Sequence, residues 1–164
     1  MTTVPFQSIP WNSRLRMLQQ YGLSAVSQQQ SAFKDVPVLD LDITSLGGAQ
    51  DAAFTWLRHS GLDLHSVRLI VIKAKSASQP RALSHTSDLA VHFPLQSNHD
   101  IECHWHRQDR LGFWASAPRC PFLIDMQTPI GWCNVSANAE YFLVIRFKNK
   151  IDGPALLAKL AQSL

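Results

Sequence analysis

The chain has 164 residues, 46% of them hydrophobic and 16% charged, enough for one well-buried core and too few for two, so a single domain over 1–164 is expected. Its formal charge of +3 is spread along the chain, the densest basic run being Arg146, Lys148 and Lys150, which is not the clustered footprint of a nucleic-acid binder. Three cysteines, Cys103, Cys120 and Cys133, without C-x-x-C spacing, give neither a disulfide framework nor a zinc finger, and no apolar run approaches the ~20 residues of a membrane span.

Nine prolines, seven glycines, eight phenylalanines and five tryptophans favour short strands joined by turns over a helical bundle. The N-terminal Met-Thr-Thr-Val-Pro-Phe-Gln lacks the basic and apolar regions of a signal peptide. A soluble protein of a reducing compartment is the expectation.

In chain order, Asn12 and Ser13 cap a short helix with apolar positions 11, 15 and 18, and Gly22 reads as its stop. Residues 24–32, rich in glutamine and serine, read as a loop. Val36 to Asp42 alternates apolar and acidic residues around Pro37, the mark of an edge strand. Positions 49, 53, 56 and 57 form an apolar helical stripe that ends at Gly61. Val67 to Lys75 is β-branched and almost continuously hydrophobic, as a strand covered on both faces should be. Ser76 to Pro80 reads as a turn. Strands follow at 88–95, 100–107, 111–115, 121–126 and 140–148; the last sets Tyr141, Leu143, Ile145 and Phe147 against Phe142, Val144 and Arg146. Asp152, Gly153 and Pro154 open a terminal helix with Leu156, Leu157, Leu160 and Leu164 along one side. The class is α+β, with N-terminal helices, a sandwich or small jelly roll, and a C-terminal helix packed on the sheet.

Chemistry concentrates in 83–106, which holds five of the seven histidines. A long strand ending in lysines, a turn into His85-Thr86-Ser87, the strand Leu89 to Leu95, and the later segment Pro121 to Ser136 come in that order. The order resembles the double-stranded β-helix of the Fe(II)/2-oxoglutarate-dependent oxygenases, in particular the aspartyl/prolyl hydroxylase-like branch found also in phage genomes, over about residues 67–148. The resemblance implies a His-x-Asp motif, a later Pro-His-x-Val-x-Asn motif and an arginine near the last strand for the co-substrate carboxylate. His85 stands at the first histidine, Ser87 at the carboxylate, Pro129 and Asn134 match the second motif, and Ile130 replaces the distal histidine. Arg146 is the nearest arginine on the last strand. Two of three iron ligands are therefore missing, and a lone imidazole with a hydroxyl holds Fe(II) poorly.

A rival metal reading uses Asp100, Glu102, His104 and His106, which at period two share one face of a strand. His104-x-His106 with Asp109, followed by Pro129 to Asn138, resembles the two cupin motifs, with Asn134 in the place of the last cupin histidine. Ser84-His85 and Cys103-His104 are adjacent in sequence, and strand neighbours face opposite ways, so neither is a catalytic pair. Trp132, with its large indole, is a candidate to fill the vacated pocket or stack on a ligand, and Arg146 a candidate to hold an anion.

The function that follows from this resemblance is a non-catalytic binding or assembly module on the oxygenase-like scaffold, such as a phage virion structural or accessory protein, cytoplasmic or virion-associated. Its ligand-binding candidates are His85, Ser87, Trp132 and Arg146; it has no catalytic residues and no cofactor, and its partners are proteins or further copies of itself. The alternatives are an active hydroxylase using Fe(II) and 2-oxoglutarate with an atypical ligand set built on His85, and a cupin-like metal or small-ligand binder using His104 and His106.

Overall fold

The computed structural model describes residues 6–34, 36–42, 49–79, 82, 89–95, 101–107, 110–115, 120–148 and 150–162, with the backbone alone for 6, 49–51, 53, 101–107 and 110–115. The chain begins with strand β1 (Phe6–Ser8) and helix α1 (Ser13–Gln29), followed by a 3-10 turn over Gln30–Lys34. Asn12 caps α1, its Oδ1 accepting from the amides of Arg14 and Leu15 at 3.1 and 2.9 Å.

The helix does not stop at Gly22, and 24–32 is not a loop. Leu15, Leu18, Gly22, Ala25 and Val26 make one continuous buried stripe, and Gly22 sits where a Cβ would come within 2.7 Å of Leu95 Cδ2 and 3.1 Å of Leu143 Cβ. The glycine is present for close approach of helix to sheet, and burial of the stripe outweighs its low helix propensity.

Next come β2 (Val38–Asp40), α2 (Ala49–His59) and β3 (Leu64–Ile72). Gly61, at φ 74°, follows α2 in the left-handed conformation that a helix C-terminus favours. The connector at Ser76 is not wholly a turn, because β4 (Ser76–Ala77) pairs with the later β9. The strands β5 (Leu89–Pro94), β6 (Ile101–Arg107), β7 (Arg110–Ala115), β8 (Phe122–Asp125), β9 (Ile130–Asn134) and β10 (Glu140–Phe147) complete the sheets, and α3 (Gly153–Ala161) closes the chain. β9 has no counterpart among the strands expected from sequence. It is a short segment interrupted by Gly131, so it lacks both the alternation and the β-branched run that mark a strand.

The six-stranded sheet has the order β1-β8-β5-β10-β3-β2 and the four-stranded sheet β4-β9-β6-β7. All their pairings are antiparallel. From β3 onward the chain crosses from the larger sheet to the smaller and back, β6 and β7 being consecutive in the smaller sheet. This winding is a double-stranded β-helix, in agreement with the α+β jelly-roll expectation.

Alternation on β10 divides the interior into two cores. Leu143, Ile145 and Phe147 join Leu69, Val91, Phe93 and Leu123 under the helices, which contribute Leu15, Leu18, Phe54, Leu57, Leu156 and Leu160. Phe142 and Val144 turn the other way, into a smaller cluster with Ile72, Ala90, Phe122, Ile124, Met126 and Ile130. That cluster is the barrel interior. Asn12 Nδ2 also donates to the Leu160 carbonyl at 2.8 Å, joining the start of α1 to the last turns of α3.

Among the described residues no helix is long and apolar enough to cross a membrane.

Candidate functional site

β5 is buried nearly throughout, so its side chains go alternately to the two cores. Val91 and Phe93 face the helices, and Ala90 and His92 the barrel. His92 pairs in register with Phe122 on β8 and Val144 on β10. Its ring is stacked on Phe122 at 5.3 Å between centroids and 14° between planes, with Trp132 at 6.3 Å and Phe142 at 6.4 Å.

His92 is fully buried, and neither ring nitrogen makes a hydrogen bond of good geometry; the Ala90 backbone is near enough to act on the ring without meeting that geometry. Burial among hydrocarbon lowers its pKa to about 4, with the Ala90 backbone pushing weakly the other way. The imidazole is therefore neutral at physiological pH.

Trp132, half-buried on β9, covers this group. Its indole lies 5.0 Å from the Phe142 ring and 6.3 Å from Phe122. The Trp132 amide donates to Ser78 Oγ at 2.9 Å and its carbonyl accepts from the Ser78 amide at 2.9 Å. The other side of the tryptophan borders a cavity of about 290 Å³ walled by Val38, Ile70, Ile72, Ala77 and Ile130, with Lys73, Ser76 and Ser78 also on its lining.

The candidates from sequence fall in different places. His85 and Ser87 lie outside the described residues. Trp132 is at the cavity. Arg146 is half-buried on β10, opposite Ser66 and Ala90. It is four residues along the strand from Phe142, which the Trp132 ring meets, a backbone separation of roughly 13 Å at the usual rise. His104 and His106 are on β6, in register with Gly131 and Leu111, and alternate with the pairs Cys103–Trp132 and Trp105–Ile130. That register sets positions 104 and 106 on the other face of the small sheet from positions 130 and 132.

Ile130, at the position the resemblance gives to the distal histidine, is 2% exposed in the barrel core. A hydrocarbon there offers no donor atom, so the residues present do not fit an iron held by the family's three ligands. Asn134 is engaged as well. Its Nδ2 donates to the carbonyls of Ile72 and Asn138 at 3.2 and 2.9 Å, and its Oδ1 accepts from the Ser136 amide at 3.0 Å. It holds the β9–β10 turn, with no capacity aimed at a ligand. Among the described residues no three His, Cys, Asp or Glu side chains are grouped to hold a metal ion.

His92 is the site residue that reasoning from sequence passes over. The available signal is a histidine set in the middle of the apolar run Leu89 to Leu95 with no charged neighbour, where a polar group is buried whichever way the strand faces.

No family model matches the chain, and no curated protein does. Solved structures do. A prolyl-4-hydroxylase from Pseudomonas putida superposes with a TM-score of 0.58 at 8% identity, over 90% of this chain and 94% of its own. An oxidoreductase of the 2OG-Fe(II) oxygenase family from Burkholderia pseudomallei gives 0.56 at 14% identity, over 87% and 84%. The non-heme monooxygenase ThoJ gives 0.53 at 10% identity, over 88% and 72%. At these identities the likeness is one of fold: the chain is a double-stranded β-helix similar to those of these oxygenases.

Proposed function

We propose that the protein is a non-catalytic binding module on this oxygenase-like scaffold, taking a small ligand at the barrel cavity beside Trp132. The observation that carries the reading is Ile130, a buried hydrocarbon at the position where the resemblance requires a metal-binding imidazole. A binding role needs a concave, mostly apolar pocket with few polar groups, and the cavity beside Trp132 is of that kind.

Protein partners or self-association are compatible with the reading, and free Cys120 and Cys133 suit a reducing compartment. Nothing in the fold or the comparisons supports a phage or virion role, which is no part of the proposal.

The purified protein, incubated without oxygen with Fe(II) and 2-oxoglutarate and then exposed to air, decides the matter. The expected result is substoichiometric iron by elemental analysis and no succinate. Stoichiometric iron with succinate production, both lost in His85→Ala, would establish the hydroxylase instead.

A further inference from the structure

We infer that the barrel interior receives a small, neutral, planar molecule bearing one hydroxyl or N–H group, with His92 as its polar anchor and the Trp132 side chain yielding to admit it. The inference rests on the reading of the protein as a binding module and names the ligand chemistry of that site.

A fully buried imidazole with no hydrogen bond of good geometry at either nitrogen is an exception among folded proteins, where such groups find partners. Leaving one unsatisfied costs about 1–3 kcal/mol. A trapped water would need 2–4 polar partners, and among the described residues the ring neighbours of His92 are Phe122, Trp132 and Phe142. Among the described residues the ring is faced by aromatic side chains and makes no hydrogen bond of good geometry.

The serines lining the cavity on the far side of Trp132 are each tied to the backbone by a hydrogen bond, and a hydroxyl so held keeps part of its capacity. Ser76 Oγ donates to the Lys73 carbonyl at 2.5 Å, and Ser78 Oγ accepts from the Trp132 amide at 2.9 Å. Lys73 is exposed at the mouth. A ligand entering between Ile70, Ile72 and Ile130 passes along an apolar wall, and the indole stands between it and the buried His92 ring. The tryptophan backbone is fixed to Ser78 on both its N–H and its carbonyl, so side-chain rotation is the movement that opens the way.

Charge and shape narrow the ligand. An imidazole that stays neutral at physiological pH gives no compensation to a buried carboxylate or phosphate. It offers one donor and one acceptor, which a hydroxyl can match with both its functions. Flat aromatic walls favour a flat ring in stacked or edge-on contact. The cavity outside the indole, about 290 Å³ against the ~150 Å³ that admits benzene, has room for a flat ring on its way to His92.

The test uses the metal-free protein in EDTA, with phenol and toluene as paired ligands. Phenol is expected to raise the thermal midpoint saturably and to shift the ring-nitrogen resonances of His92 in NMR. In His92→Phe, with its fold checked by circular dichroism, phenol binding should weaken at least tenfold while toluene binding is unchanged. Trp132→Ala should bind phenol several-fold more tightly. His92 resonances unmoved by saturating phenol, or a His92→Phe protein that binds phenol as well as the parent, would overturn the inference. So would binding of toluene without phenol. Iron-dependent turnover would defeat the earlier reading, and failure of these metal-free titrations would defeat the ligand assignment alone, so the two failures are told apart.

Discussion

The two faces of the six-stranded sheet are built from the same strands and end in different environments. Toward the helices, Phe54, Leu57, Leu69, Phe93 and Leu143 form part of a continuous hydrophobic core. Toward the smaller sheet, the strands that supply Phe93 and Leu143 also supply His92 and Phe142, and there the packing includes an imidazole without a well-formed hydrogen bond, a half-buried tryptophan and a cavity. The lesson is a division of labour by strand parity: one set of alternate residues holds the fold, and the other keeps a polar group and free volume that stability alone would remove.

The largest expected effect tests the helix-facing side. Phe54 is fully buried and meets Tyr21 edge-on at 4.8 Å. Phe54→Ala should cost about 3–5 kcal/mol in urea unfolding. A loss under about 1 kcal/mol would mean that the helix layer contributes little and the contrast is misdrawn.

The next effect belongs to the barrel side and depends on pH. The folded state keeps His92 neutral down to about 4, whereas the unfolded chain takes up the proton below about 6.5. The unfolded state binds more protons across that window, so stability is full above about 6.5 and falls as pH drops toward 4. The lowering corresponds to a loss on the order of 3 kcal/mol. His92→Phe should remove this part of the acid sensitivity and be neutral or stabilising at pH 7. Unfolding free energies of both proteins at pH 7 and pH 4.5 isolate the difference from the other titrating groups. Parallel pH curves would show that His92 has a partner in solution.

The smallest effect is at the edge. Arg68 Nε donates to Asp40 Oδ1, linking β3 to the edge strand whose Val38 lines the cavity. The carboxylate is 72% exposed, so Asp40→Asn should cost less than about 1 kcal/mol, and less again in high salt. A larger loss would make β2 part of the structural core.

Legibility from sequence follows the same division. The alternation on β10 and the Asp152–Pro154 start of α3 could be read directly, because each rests on local chemistry. Gly22 misled, since a glycine used for close approach looks in sequence like one used to end a helix, and only the positions of Leu95 and Leu143 tell them apart. β4 is two residues long and β9 carries Gly131 at its second position, so both owe their existence to cross-strand pairing that no local pattern announces. At the site, Trp132 stood out by its size and place. His92 did not, because its significance lies in missing hydrogen bonds, a property of the folded surroundings and of nothing in the string of letters.

The close approach at Gly22 has one more result. Leu95 packs on that glycine, and Gln19 Nε2 donates to the Pro94 carbonyl at 3.0 Å, so α1 grips the end of the strand that carries His92. The imidazole is thereby anchored from behind by the helical layer. The base is thus backed by α1, while the indole in front of it is held through its backbone to Ser78 and by ring packing on Phe142.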